Sequence, residues 1–302
     1  MDIKAPIKSI EWEVTSRCNY KCEYCFQVWK ETKDCSSELV DKVLELTASL
    51  DGRWLVKLIG GEPFLFRHFF RVCETLIKQG HQVSLTSNFS CGQSVLEKLF
   101  DCTGANLEGV SASLHLSQTK DLQGFIDKCL WFEHNKHPDT GFVVTSVLKE
   151  DNFEQLKWVE NELCGKGVRF QYQRIKIDGK YQSYPAEIEE YVRGKLSSNE
   201  DKTFQYSSFG TKCYTGLYFF RILLNGSVVR CYNGQPLFKL GSLSDGSFKP
   251  FTKMMPCTSK KCTCPTPANR NMVMWDKKYS PIVTAARVLP EYLKRKIAEK
   301  LR

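Results

Sequence analysis

Apolar residues in this chain follow two alternating rhythms over its first two thirds. Short runs rich in β-branched and aromatic residues, at 9–15, 54–59, 82–86, 109–114, 142–147 and 168–175, predict six strands. Between them, apolar positions recur at steps of three and four. Leu39, Val43, Leu46 and Leu50 share one face of a helix over 37–50, opened by serines that can cap it. Similar spacing predicts helices over 68–79, 93–100, 122–134, 153–163 and 186–196. Six strands alternating with helices predict an α/β fold around a parallel sheet. Such folds carry their chemistry at the C-terminal ends of the strands.

After residue 197 the periodicity fades into the polar run Ser197-Ser198-Asn199-Glu200-Asp201-Lys202, which marks a domain boundary. Three segments are expected: a first domain over 1–197, a smaller one over 198–275 and a tail over 276–302. In the second, Ile222 to Cys231 reads as a β-hairpin turning on Asn225-Gly226 as a two-residue loop, which carries Cys231 back toward Cys213. Cys257, Cys262 and Cys264 follow, stiffened by Pro256, Pro265 and Pro267. In the tail, Val283, Ala286, Leu289, Tyr292, Leu293, Ile297 and Leu301 predict one or two amphipathic helices interrupted near Pro290.

Composition narrows the classes. A chain of 302 residues can bury one large core and a small appendage. No apolar run approaches the ~18 residues of a membrane span, and the N-terminus has no apolar signal stretch, so a cytoplasmic protein without a membrane partner is expected. Its 14 cysteines then point to metal ligation more than to disulfides. The net charge of +9 is concentrated in 277–302, where eight Lys or Arg face two Glu. The rest is nearly balanced, which argues against a nucleic acid partner and for a terminal helix with a solvated basic face.

The chemistry concentrates in two motifs. Cys18, Cys22 and Cys25 stand on one short loop after the first strand. Three thiolates on a cubane leave one iron open to a substrate, whereas structural zinc takes four ligands. Gly60-Gly61-Glu62-Pro63 follows the second strand; alone it reads as a turn. Together, in this order, the two resemble the cluster loop and the glycine-rich motif of the radical S-adenosylmethionine (radical SAM) superfamily. The resemblance implies a partial (β/α)6 TIM-like barrel with a lateral mouth. It also implies a [4Fe–4S] cluster on Cys18, Cys22 and Cys25 that binds SAM and cleaves it reductively to a 5′-deoxyadenosyl radical, with flavodoxin or ferredoxin as electron donor. By position, Gly60, Gly61, Glu62 and Pro63 meet the methionyl ammonium. Tyr24 lies on the adenine or packs against the barrel. Ser87, Asn88 and Ser113 reach ribose and carboxylate, or simply form turns. On the sixth strand Gln171 and Gln173 share one face and Arg174 takes the other; in a barrel mouth Arg174 suits a carboxylate or phosphate.

Cys213, Gly226 and Cys231 resemble the start of that superfamily's auxiliary-cluster region, known in a seven-cysteine form (SPASM) and a shorter one (twitch). Five late cysteines fit the twitch form with its β-hairpin, followed here by a C-terminal helix. The implied auxiliary cluster, of the [4Fe–4S] type, takes Cys213, Cys231, Cys262 and Cys264, with Cys257 as the alternative ligand or as a thiol that donates a hydrogen atom. Cys262-Thr263-Cys264 departs from the usual CxxC pair, and a zinc knuckle on the same thiols is the competing reading. Cys35, Cys73, Cys91, Cys102, Cys129 and Cys164 receive no role.

The expected activity is hydrogen abstraction from a carbon of a small polar biosynthetic intermediate: a sugar, aminocyclitol or nucleoside. Oxidation by two electrons through the auxiliary cluster, or epimerisation through a cysteine thiol, completes the reaction. Fewer than twenty residues precede Cys18, which weighs against a leader-binding domain. Modification of a ribosomally made peptide, by epimerisation or crosslinking, stays open nonetheless. A zinc-stabilised RNA- or nucleotide-binding protein is the alternative from another class.

Overall fold

The computed structural model describes residues 5–25, 32–177, 180–197, 207–232, 239–260, 262 and 271–300. It has two compact units, Trp12–Ser197, and Met1–Glu11 with Ser198–Arg302. Residues 1–11, placed by the sequence with the first domain, group instead with the later unit.

The first unit alternates Trp12–Thr15 of β1 (Ser9–Thr15), α1 (Ser37–Ala48), β2 (Leu55–Gly60), α2 (Phe69–Lys78), β3 (Gln82–Ser87), α3 (Gln93–Thr103), β4 (Leu107–Leu114), α4 (Leu122–Asn135), β5 (Gly141–Leu148), α5 (Phe153–Cys164) and β6 (Arg169–Arg174). The strands stand in chain order, and those from β2 to β6 pair in parallel with their neighbours. This is an α/β fold with a parallel sheet. Side chains alternate across it: Val110, Ala112 and Leu114 of β4 and Val144 and Leu148 of β5 are buried, whereas Ser111, Ser113 and Thr145 between them are half-buried. Ser36 caps α1 through the Leu39 N–H, and Asp121 caps α4 through that of Gly124. Phe89, Phe125, Phe132 and Phe142 form an aromatic core with ring centroids 4.5 to 6.2 Å apart.

A two-residue ribbon of β7 (Lys176–Ile177) with β8 (Lys180–Tyr181) leads into α6 (Ala186–Val192). That helix stops four residues before its expected end, because Gly194 takes φ +78° and turns the chain out of the helix.

The later unit contains β9 (Thr211–Cys213), β10 (Phe219–Ile222), β11 (Ser227–Val229), β12 (Lys239–Ser242), β13 (Met255–Pro256), β14 (Val273–Lys278) and α7 (Pro281–Lys300). Strands β10, β11 and β12 form an antiparallel meander, and β13, β9 and β14 a second antiparallel sheet. The hairpin between β10 and β11 forms, but not on a two-residue turn. Ile222 pairs with Val228, and the Leu223 N–H bonds the Ser227 carbonyl. Gly226 alone takes a positive φ, +82°. A two-residue type I′ turn needs positive φ at both central positions, and Asn225 does not supply it; the loop is the longer kind that ends in a left-handed glycine. Helix α7 is continuous through Pro290 instead of breaking there, and starts at Pro281 with Ser280 accepting the Val283 N–H. Among the described residues no helix is long and apolar enough to cross a membrane.

Candidate active site

The site grows from the end of β1. There Thr15 to Arg17 lie against the turn after β2: the Gly61 N–H bonds the Thr15 carbonyl at 2.8 Å, and the Glu62 N–H bonds that of Arg17 at 2.7 Å. This approach explains both glycines. A Cβ on Gly60 would stand 2.1 Å from the Thr15 carbonyl oxygen, and one on Gly61 2.1 Å from that of Arg17. The Gly-Gly pair thus fastens the start of the cysteine loop to β2. Pro63 is buried and opens a single helical turn over Pro63–Leu65.

Cys18 and Cys22 are half-buried and Cys25 is exposed. Burial pushes the Cys18 thiol up, while the Tyr20 N–H, 3.4 Å from its sulfur, and the Asn88 side-chain amide, at 3.8 Å, favour its thiolate. Burial also pushes Cys22 up, to about 11, and the thiols of Cys25 and Cys18 add to it. The amide donors at the Cys18 sulfur fit a group that takes it as a thiolate.

Glu62 links this loop to β3. Its carboxylate is 2 % exposed and accepts the Ser87 hydroxyl at 2.8 Å, the Asn88 N–H at 2.6 Å and the Phe64 N–H at 3.2 Å. Burial raises its pKa, and these donors oppose the rise. Glu62 is therefore a buried brace that fixes Ser87 and Asn88. Asn88 then bonds the Asn19 side chain at 2.9 Å, and Asn19 bonds the Ser90 hydroxyl at 2.9 Å.

Four contacts to the loop come from three residues that the sequence did not single out. The Tyr24 hydroxyl lies 2.9 Å from His115 Nδ1, just past β4, and the Tyr20 ring packs edge-on against the same imidazole. Burial holds His115 down to about 4, so the ring is neutral at neutral pH. Gln118 accepts the Lys21 N–H at 3.0 Å, and Lys149, past β5, pairs with Glu23. A histidine directly after a strand end was the available signal.

Ser113 lies at the end of β4, opposite Thr145, which is opposite Gln171 of β6. These three make a polar row on the face away from the buried Leu114 and Tyr172. Arg174 is not on that face. It shares the parity of Tyr172, and its guanidinium grips Glu189 of α6 through both nitrogens and lies 5.5 Å from the Tyr184 ring. The expectation of an arginine offered to a ligand gives way to an ion pair that ties β6 to α6.

In the later unit, Cys213, Cys231 and Cys262 are buried in one cluster with Val273, and Tyr232 packs against it. The Cys257 thiol is near enough to interact electrostatically with Cys213 and Cys262. The Thr215 hydroxyl is 3.2 Å from the Cys213 sulfur, and Arg230 bonds Thr215 and the carbonyls of Met255 and Pro256. Burial, the largest effect, holds Cys213 up at about 11. Cys264 lies outside the described residues. Among those described, no three Cys, His, Asp or Glu side chains are set to hold a single metal ion. The ligands of a cubane bind different irons and stand farther apart.

Three thiols after the first strand, fastened by a glycine pair and bordered by polar strand ends, stand together at the carboxyl ends of the parallel strands of an α/β protein. Residues 12–117 match the family model of the radical SAM superfamily. Among curated relatives, an S-adenosylmethionine-dependent nucleotide dehydratase of Fibrobacter sp. (strain UWH6) is 25% identical over 179 residues, 52% of this chain and 51% of the relative. A probable GTP 3′,8-cyclase of Methanocella arvoryzae is 32% identical over 126 residues, 41% of this chain and 39% of the relative. The chain thus spans about half or less of these relatives. Of solved structures, Streptococcus suis SuiB bound to S-adenosylmethionine superposes with a TM-score of 0.56 at 16% identity, covering 79% of this chain and 64% of that one. Native anSMEcpe with bound AdoMet gives 0.54 at 17% identity, covering 96% and 98%. At these identities the likeness is one of fold.

Proposed function

We propose that this chain is a radical SAM enzyme acting on a small polar metabolite, and the observation that carries the reading is the Cys18-Cys22-Cys25 loop docked on Gly60-Gly61 and on Asn88. A [4Fe–4S] cluster with one open iron supplies, when bound, one-electron cleavage of SAM and the carbon radical that abstracts a substrate hydrogen. The chain's own residues bind and orient. Cys18, Cys22 and Cys25 hold the cluster. Carbonyl groups of Gly60 and Gly61 accept the methionyl ammonium, which has only donors to offer. Ser87 and Asn88, fixed by Glu62, offer polar groups to ribose or carboxylate. The row Ser113, Thr145 and Gln171 offers hydroxyl and amide groups to a polar substrate. Holding the reacting carbon close is the protein's main contribution.

The names of the curated relatives, a nucleotide dehydratase and a GTP cyclase, support the nucleoside among the candidate substrates. The buried group of Cys213, Cys231 and Cys262 supports an auxiliary iron–sulfur cluster in a twitch-like unit. Cys257, close to two of these thiols, suits the fourth position better than a free hydrogen donor, with Cys264 as its alternative. An auxiliary cluster favours two-electron oxidation over epimerisation.

The test is anaerobic reconstitution with iron and sulfide, reduction, and chromatography of SAM products with and without nucleosides and nucleotides. About eight irons per chain and release of 5′-deoxyadenosine are expected, with deuterium transfer from the labelled substrate. Stoichiometric zinc without SAM cleavage would overturn the reading.

A further inference from the structure

Phe89 is one of two described non-glycine residues with a positive φ, +58°, and its side chain is fully buried. Left-handed backbone at a bulky residue is strained and persists only where its surroundings enforce it. Two devices enforce it here. The ring is locked among Phe125, Phe132 and Phe142, so glycine, which would relax the backbone, would empty the core. The second is Lys128 of α4, whose ammonium donates to the Phe89 carbonyl at 3.1 Å and to the Cys91 carbonyl at 2.6 Å. Charge-assisted bonds to two carbonyls of one turn leave that turn little freedom.

The same turn faces the cysteine loop from its other side. The Phe89 N–H bonds the Ser87 hydroxyl at 2.9 Å, and the Ser90 N–H bonds the Asn88 side-chain oxygen at 3.0 Å. Asn88 and Ser90 in turn hold Asn19, and Asn88 reaches the Cys18 sulfur. A chain of contacts thus runs from α4 through a strained turn to the first ligand of the loop.

We propose that Lys128 is a positioning residue of the SAM site: by tying the carbonyls of Phe89 and Cys91 it keeps the left-handed turn that aims Asn88 and Ser90 at Cys18 and Asn19. Its SAM consequence rests on the function proposed above; its effect on the loop does not. Among the described residues Lys128 bonds neither Cys18, Cys22 and Cys25 nor the Gly-Gly turn, and acts only through the turn held at Phe89 and Cys91.

Two measurements on the full chain separate these levels. Amide hydrogen exchange on the chain as purified compares wild type with Lys128→Met and Lys128→Arg. Exchange at Phe89, Ser90 and Tyr20 should speed up by about tenfold or more in Lys128→Met, the scale of a lost charged hydrogen bond, and return toward wild type in Lys128→Arg. Unchanged exchange at these three, or equal acceleration throughout α4 and β4, overturns the proposal. Should Lys128→Met not fold, Lys128→Gln, which keeps one donor, serves with the same criteria. In reconstituted protein, the KM for SAM should rise about tenfold in Lys128→Met with iron content retained, and Lys128→Arg should recover it; a fall in kcat at constant KM counts against positioning. If wild type cleaves no SAM, the proposed function fails, and the exchange result still decides for or against Lys128.

Discussion

His115 stands where pH reaches the cysteine loop. Its imidazole is held down to about 4 by burial, against 6.5 for the free side chain. A histidine depressed on folding contributes stability that is present above 6.5 and lost as pH falls through 4, because the unfolded chain binds the proton first. Urea denaturation should therefore show stability rising between these values by up to on the order of 3 kcal/mol. His115→Gln should flatten that window; an unchanged slope would place the titration elsewhere. Gly61 is the second sensitive residue. A methyl at 2.1 Å from the Arg17 carbonyl must move main chain, so Gly61→Ala should cost about 3 kcal/mol in denaturation, at the upper end of overpacking. Gly80→Ala, with nothing near the added Cβ but a φ of +83°, should cost about 1 kcal/mol from backbone conformation alone.

At the scale of elements, the hairpin between β10 and β11 gives a sharp comparison. Gly226→Ala should lose about 1 kcal/mol, because φ is +82° there. Asn225→Ala should lose only a few tenths, since its side chain merely accepts the Ser227 N–H; equal losses would restore the two-residue turn. The same hairpin shows what the sequence conveys. Asn-Gly announces a left-handed glycine, but the loop length depends on how Ile222 and Val228 pair across it. Strands β4 and β5 and the helices of 12–197 are legible because burial repeats there with the period of the element, and β1 because it is a short run buried on both faces. Cys18, Cys22, Cys25 and the Gly-Gly pair are legible because their chemistry is local in sequence. Glu62 with Asn88, 26 positions apart, and Tyr24 with His115, 91 apart, leave no period to detect. Arg174 misleads for the opposite reason: its charge suggests a ligand, while its parity with Tyr172 sends it to α6.

At the scale of the whole molecule, the cysteines fall in two groups, one in each compact unit. If each group holds its own cluster, Cys18, Cys22 and Cys25 replaced together by alanine should leave about four irons after reconstitution. Replacing Cys213 and Cys231 should likewise remove about four and spare SAM cleavage in the absence of substrate. Loss of all iron in the first variant would refute a second cluster.

The ties that hold the cysteine loop also set an order in time. Asn19 waits for Ser90, 71 residues later, Lys21 for Gln118, 97 later, and Glu23 for Lys149, 126 later. A ribosome adding roughly 5–20 residues per second takes about 6 to 25 s to supply the last of these. During that interval three thiols sit on a nascent segment whose anchoring strands do not yet exist. Loading before release would meet a loose loop, and loading afterwards a preformed cradle. Slowing translation between codons 25 and 149 under mild oxidant should therefore lower the fraction of chains that take up iron, while the same delay after codon 149 should not.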